Sequence, residues 1–221
     1  MSLVLFRDRR HAGQLLAAQL GAYAGRDDVI VLALPRGGVP VAFEVARALH
    51  APLDVFTVRK LGVPGHEELG FGAIASGGVR VLDDHLVSEL GLPAPVIEKI
   101  TQRERHELER REQAYRGDRP FPMVTGKTVI VVDDGLATGG SMLAAVRALR
   151  ALRPARIVVA VPTGAQQTCD TLRLQVEALV CISMPEPFYA VGWHYHDFRP
   201  TSDEEVGQFL AAAREGAAAV A

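Results

Sequence analysis

Apolar positions along the chain fall into short unbroken runs that alternate with segments of helical spacing. VIVLALP (29–35) is apolar almost throughout and rich in β-branched residues, the pattern of a strand buried on both faces. VPVAFEVARAL (39–49) has the spacing of a helix, and LDVFTVR (53–59) that of the next strand. FGAIA (71–75) and VRVL (79–82) flank SGG and predict a hairpin. A strand at 129–134 leads to a helix over 141–152, then a strand at 155–162, a helix at 165–175 and a last strand at 178–183. Such alternation predicts an α/β fold, a parallel sheet flanked by helices. No repeat of fixed period occurs.

Two segments break the alternation. PAPVIEKITQRERHELERREQAYR (93–116) predicts a long helix whose interleaved Glu and Arg form a solvated face. Its acids nearly match its bases, so it lacks the basic stripe of a nucleic-acid helix. MPEPFYAVGWHYHDFRP (184–200) gathers aromatics and histidines, suited either to a packed cap or to a platform for a flat ligand.

Composition narrows the class. With 221 residues, 48% hydrophobic and 23% charged, the chain suits one domain over 1–221 with a smaller hood or cap drawn from 84–124 and 184–200. A formal charge of −2 gives no general attraction to nucleic acid or anionic membrane, and neither is expected as a partner. No apolar run approaches bilayer length. The start, MSLVLFRDRRHAG, is too short in apolar residues for a signal peptide. Cys169 and Cys181 match no metal spacing, so reduced thiols and a cytoplasmic location are expected. The tail, AAAREGAAAVA, is low in complexity and is expected to fray.

VIVVDDGLATGGS (129–141) carries the chemistry. A strand ends in Asp133 and Asp134, and a loop of small residues then opens a helix. Backbone N–H groups and a helix N-terminus converge there, as they do on bound phosphate. Open α/β sheets bind ligands at the carboxyl ends of their strands. A phosphate in the loop and vicinal hydroxyls on the carboxylates describe a ribose 5-phosphate. The chain has no G-x-x-x-x-G-K-[ST], which argues against a P-loop NTPase. LPRGGVPVA lacks the G-x-G-x-x-G of a dinucleotide-binding oxidoreductase.

That stretch resembles the phosphoribosyl pyrophosphate (PRPP) signature of type I phosphoribosyltransferases, and is similar above all to the form in adenine and orotate enzymes. The resemblance implies that Asp133 and Asp134 hold the ribose hydroxyls and, indirectly, magnesium. It assigns the 5-phosphate to Gly135, Leu136, Ala137, Thr138, Gly139, Gly140 and Ser141. LPRGG (34–38) resembles the family's pyrophosphate loop, with Arg36, Gly37 and Gly38 as contacts and often a non-proline cis peptide. VRKLGVPGHEELGFG (58–72) looks like the flexible catalytic loop of orotate enzymes, so Arg59, Lys60 and His66 join Arg36 as candidate catalytic groups. That loop closes over a neighbouring subunit's site in the family, which implies a homodimer.

PFYAVGWHYHDF (187–198) resembles the hood of hypoxanthine-guanine enzymes. Phe188 or Tyr189 would then stack on the acceptor, and Asp197 would match an acid near magnesium. Those enzymes carry an acid where this chain has Ala137, a departure that argues against simple hypoxanthine or guanine salvage. The implied reaction takes PRPP and a small nitrogenous acceptor, releases pyrophosphate and depends on Mg2+. A protein that senses PRPP without turnover is the other reading of the same fold.

Overall fold

Five parallel strands form the central sheet of the computed structural model, which describes residues 5–218. The chain starts with α1 (Arg9–Gln19), then β1 (Val29–Ala33), α2 (Gly38–Leu49) and β2 (Leu53–Val55). An insertion follows: β3 (Val58–Val63), β4 (His66–Ala75), β5 (Val79–Leu82), α3 (Asp84–Glu89) and α4 (Ala94–Arg116). The sheet resumes with β6 (Thr128–Val132), α5 (Gly140–Ala151), β7 (Arg156–Thr163), α6 (Gln166–Arg173) and β8 (Ala178–Ser183). The last helix is α7 (Asp203–Ala218).

The strand order is β2-β1-β6-β7-β8, and β3-β4-β5 make a separate antiparallel sheet. β1, β6 and nearly all of β7 are wholly buried, as their unbroken aliphatic runs require. Alternate β1 residues feed opposite layers. Val29, Val31 and Ala33 pack with α1, α2 and α7, while Ile30 and Leu32 pack with α5 and α6.

The insertion differs from the expected loop. LDVFTVR is not one strand: β2 pairs in the central sheet, and β3 begins the second sheet. Residues 60–72, expected as a mobile loop, form most of a hairpin, with Lys60 opposite Ala73 and Leu61 opposite Gly72. The physical reason is alternation. Leu61 and Val63 alternate along β3 and, with Phe71 and Ile74 of β4, cluster on Ile97, Ile100 and Leu108 of α4, the hairpin register shifting at Leu61/Gly62 and Gly62/Val63. Glycines and charges obscure that period in the sequence. The same contacts give α4 a buried face as well as the solvated one.

Three helices lie outside the sequence reading: α1, α3 and α7. α1 buries Ala12, Leu16 and Ala17. In α7, Val206 and Leu210 join the core, so residues 211–218 are helical rather than frayed. The remainder of the expected frayed tail, 219–221, lies outside the described residues, as do residues 1–4 of the opening segment. No helix among the described residues is long and apolar enough to cross a membrane.

Candidate active site

β1 and β6 are neighbours, paired from Val29↔Thr128 to Ala33↔Val132. The chain leaves β1 towards β2 on one side and leaves β6 towards β7 on the other. Such a switch point opens a crevice at the carboxyl ends of the two strands. LPRGG follows β1 and DDGLATGG follows β6, so both loops border it.

The two loops touch. A methyl group placed on Gly37 would lie 2.0 Å from Asp134 Oδ2. One on Gly38 would lie 2.7 Å from the Val132 carbonyl oxygen and 2.9 Å from Asp133 Cα. Glycine is therefore the residue that lets this loop reach the acidic pair. The Pro35–Arg36 peptide is cis, as the resemblance implied.

Asp133 Oδ1 accepts the Asp134 N–H at 2.8 Å. Burial raises the Asp133 carboxyl well above the usual carboxylate range, and the neighbouring Asp134 charge adds to that. Burial also raises Asp134, opposed by Arg9, whose Nε donates to Asp134 Oδ2 at 2.8 Å. The Tyr195 hydroxyl donates to the Asp134 carbonyl at 2.6 Å, and Val191 packs on Gly135.

Beyond the pair, the loop is held from below and open above. Leu136 is buried; its N–H donates to the Thr163 carbonyl at 2.9 Å, and its carbonyl accepts from Ala165 at 2.8 Å. Thr168 Oγ1 donates to the Ala137 carbonyl at 2.6 Å. Gly139 sits at φ 74 as the N-cap of α5 and supplies no side-chain cap. Ala137, Thr138, Gly140 and Ser141 are exposed. The first N–H groups of α5 thus lack a capping side chain, the property that makes a helix start receptive to an anion.

The other predicted residues are more dispersed. Arg36 is half exposed, with Nη1 3.6 Å from Asp203 Oδ1. That same Asp203 oxygen accepts the Tyr115 hydroxyl at 2.8 Å, and burial followed by this bond pushes the Tyr115 phenol up to about 12. Arg59 forks onto Glu104 at 2.9 and 2.6 Å. Lys60 borders a cavity of about 230 Å3 together with Asp83, Gly140, Leu143 and Arg147. His66 is exposed at the hairpin tip, opposite Val63.

Phe188 stacks on buried His194, with centroids 5.2 Å apart. Tyr189 is 68% exposed and meets Trp193, 67% exposed, at 5.0 Å. Asp197 is held by Arg199 through bonds of 2.6 to 3.0 Å. Among the described residues, no group of three or more His, Cys, Asp or Glu is placed to hold a metal. Two adjacent carboxylates nonetheless suit Mg2+, which takes one or two protein carboxylates alongside substrate oxygens. Both cysteines are free thiols.

Arg9, Tyr195 and Trp193 were not identified from the sequence as site residues. The usable signal for Arg9 was the acidic pair itself, since a buried carboxylate calls for a cation. Nothing in the local sequence says which of the chain's arginines supplies it.

Residues 9–197 match the family described as phosphoribosyl transferase domain. A Mycobacterium tuberculosis H37Rv protein named "Putative phosphoribosyl transferase Rv0571c" is 46% identical over 206 residues, 93% of this chain and 46% of its own length. The chain thus spans about half the length of the curated relatives it matches first. The "Bifunctional protein PyrR" of Roseiflexus sp. is 33% identical over 142 residues, 62% of this chain and 57% of that protein. The crystal structure of TT1426 from Thermus thermophilus superposes with a TM-score of 0.86 at 42% identity, covering 95% of this chain and 99% of that one. A domain match over most of the chain, on a fold that joins the two glycine loops at one crevice, establishes that the protein belongs to the phosphoribosyl transferase family.

Proposed function

We propose that the protein transfers a 5-phosphoribosyl group from PRPP to a small nitrogenous acceptor and releases pyrophosphate. The contact of Gly37 and Gly38 with Asp134 and Asp133 is the observation that carries this reading. It supports a reading in which a ribose-hydroxyl receptor, a pyrophosphate loop and a phosphate-binding helix start share one crevice.

Breaking the bond from C1′ to pyrophosphate leaves positive charge on the ribose and negative charge on the leaving group. Catalysis then needs fixed charges at both ends rather than a covalent nucleophile. Asp133 and Asp134 accept the ribose hydroxyls. The N–H groups and hydroxyls of residues 135–141 hold the 5-phosphate, with Thr138 and Ser141 contributing their side chains. The backbone at Arg36, Gly37 and Gly38 receives pyrophosphate. Asp133 and Asp134 would hold Mg2+ indirectly, and the ion would supply positive charge to offset the negative charge of the leaving group. Arg59, Lys60 and His66 lie on the hairpin that would close over the site, excluding water from the reactive sugar. In this reading the segments 84–124 and 184–200 form the hood, two subunits pair, and the protein works in the cytoplasm.

A screen of nucleobases and related acceptors with PRPP and magnesium, followed by pyrophosphate release, tests the activity. Acceptor-dependent release supports transfer. Saturable PRPP binding with no release across the panel supports the sensing role instead.

Lys60 and the acceptor platform yield separate predictions. Lys60→Ala is expected to lower kcat far more than PRPP affinity, because the charge it faces develops in the transition state. Steady-state kinetics beside calorimetry separate the two, and equal losses would reduce Lys60 to ground-state binding. At the platform, Phe188 already has one face on His194, whereas Tyr189 is open. Tyr189→Ala is therefore expected to raise acceptor KM several-fold to about tenfold, the scale of a stack worth roughly 0.5–1.5 kcal/mol. Phe188→Ala should act less, and PRPP affinity should hold in both. Loss of PRPP binding in both would show that these rings belong to the packing of the site rather than to the acceptor.

A further inference from the structure

Among the described residues, Arg9 is the cation bonded to Asp134, and it comes from far along the chain. Its guanidinium is engaged at two nitrogens and on one face. Nε donates to Asp134 Oδ2 at 2.8 Å, and Nη1 donates to the Arg199 carbonyl at 2.7 Å. The guanidinium carbon lies 3.9 Å from the Phe198 ring centroid. The side chain is 11% exposed. Three anchors on one guanidinium restrict it to one position, and a planar fork loses little further freedom in holding it.

Asp134 Oδ2 is enclosed on its second side as well. Gly37 approaches so closely that a Cβ there would stand 2.0 Å from this oxygen. Oδ2 is thus occupied by Arg9 and walled most closely by Gly37, where a Cβ would stand 3.3 Å from Oδ1. Oδ1 of Asp134 accepts no protein hydrogen bond among the described residues. The Asp134 carbonyl is fixed independently by Tyr195.

We propose that Arg9 is a positioning residue that makes Asp134 a one-edged acceptor, fixing the oxygen that receives a ribose hydroxyl. The inference rests on the phosphoribosyl reading. In it, Arg9 touches no substrate; it acts through Asp134, and Phe198 and the Arg199 carbonyl act through Arg9. The segment 195–199 and the start of α1 thereby become part of the ribose site. Their pairing supports this: the Phe6 N–H donates to the His194 carbonyl and the His196 N–H to the Phe6 carbonyl, each at 2.8 Å.

Calorimetry with three probes tests it: PRPP with magnesium, ribose 5-phosphate, and inorganic phosphate. Arg9→Met keeps length and removes the fork. It is expected to raise Kd for PRPP and ribose 5-phosphate at least tenfold while inorganic phosphate binds as before, since phosphate uses the loop alone. Arg9→Lys restores one bond to Asp134 and should recover part of the sugar affinity. Unchanged sugar affinity in Arg9→Met overturns the proposal. So does an equal loss for inorganic phosphate, which marks a general structural role, or an Arg9→Lys variant no better than Arg9→Met. Where Arg9→Met does not fold, Phe198→Leu decides. It removes the stacking face, should weaken both sugars several-fold and spare phosphate; no change overturns the proposal. Wild-type protein that binds inorganic phosphate but neither sugar refutes the phosphoribosyl reading, and this inference falls with it.

Discussion

Asp133→Asn combined with Asp134→Asn is expected to weaken PRPP binding sharply while the chain still folds. The amides keep the shape of the carboxylates and remove their charge. Hydrogen bonds from a hydroxyl to a charged acceptor are worth roughly 1.5–3 kcal/mol each. Replacing two charged acceptors by neutral amides weakens each bond by about 1–1.5 kcal/mol, which lowers affinity by about one and a half to two orders of magnitude, since 1.4 kcal/mol is tenfold. Calorimetry with PRPP and magnesium reads the loss, and unchanged affinity would remove the ribose role from the pair.

The single substitutions should diverge in stability. Asp133 is raised by burial, so its folded value lies above its unfolded one. The folded state then binds the proton more tightly, and the group costs stability as pH rises from the unfolded value through the folded one. Asp133→Asn removes that cost, and its amide oxygen can still accept the Asp134 N–H. Its Tm at pH 7.5 should equal or exceed that of the parent, with the gain vanishing as pH falls through the ordinary carboxylate range. Burial raises Asp134 as well, but Asp134→Asn replaces the partner charge of Arg9, whose side chain is 11% exposed, with a neutral amide, and that loss should outweigh the relief and lower Tm. A Tm loss for Asp133→Asn at pH 7.5 that persists in acid would mean that this carboxylate holds the fold together. Stability given up in an acidic pair that the core does not need is what a binding site would show.

How far the sequence reveals this molecule depends on whether a signal is local. β1, β6 and β7 were legible because a strand buried on both faces leaves an unbroken aliphatic run, and β8, a half-buried edge strand, because its run is still mostly apolar. The acidic pair and its loop were legible because their chemistry is contiguous from 133 to 141. The β3–β4 hairpin was not. Its alternation of Leu61, Val63 and Phe71 is diluted by glycines, whose place becomes clear only from their neighbours: a Cβ on Gly72 would meet the Val81 carbonyl at 2.5 Å. Helix α7 was hidden by its alanine-rich end, although Val206 and Leu210 bind it to the core. Arg9 was out of reach for a different reason. Its partner lies 125 positions away, and only the folded chain brings them together. Arg59 illustrates the converse: its charge is evident in the sequence, but its Glu104 partner is supplied by α4.

Gly37→Ala is the smallest change expected to disable the site. The added methyl would sit 2.0 Å from Asp134 Oδ2, well inside van der Waals contact. A flexible side chain could turn away from such a clash, but this one is held. Arg9 bonds the same oxygen at 2.8 Å, and Tyr195 bonds the residue's carbonyl at 2.6 Å. Relief therefore requires either breaking the ion pair or displacing the loop at 35–38. The first turns Asp134 out of its ribose-facing position; the second moves the N–H groups assigned to pyrophosphate. Either route lowers PRPP affinity by about a hundredfold, the scale on which an ångström of misplacement acts in a preorganised site. Because Gly37 has φ −58, its backbone does not itself demand glycine, so the effect isolates the close approach. Gly207→Ala is the matched control. A Cβ there meets nothing within 4 Å, and in the interior of α7 alanine should add up to about 1 kcal/mol of stability with PRPP affinity unchanged. Isothermal titration of both variants decides the matter: a Gly37→Ala protein that binds PRPP as tightly as the Gly207→Ala control would show that the two loops do not form one receptor.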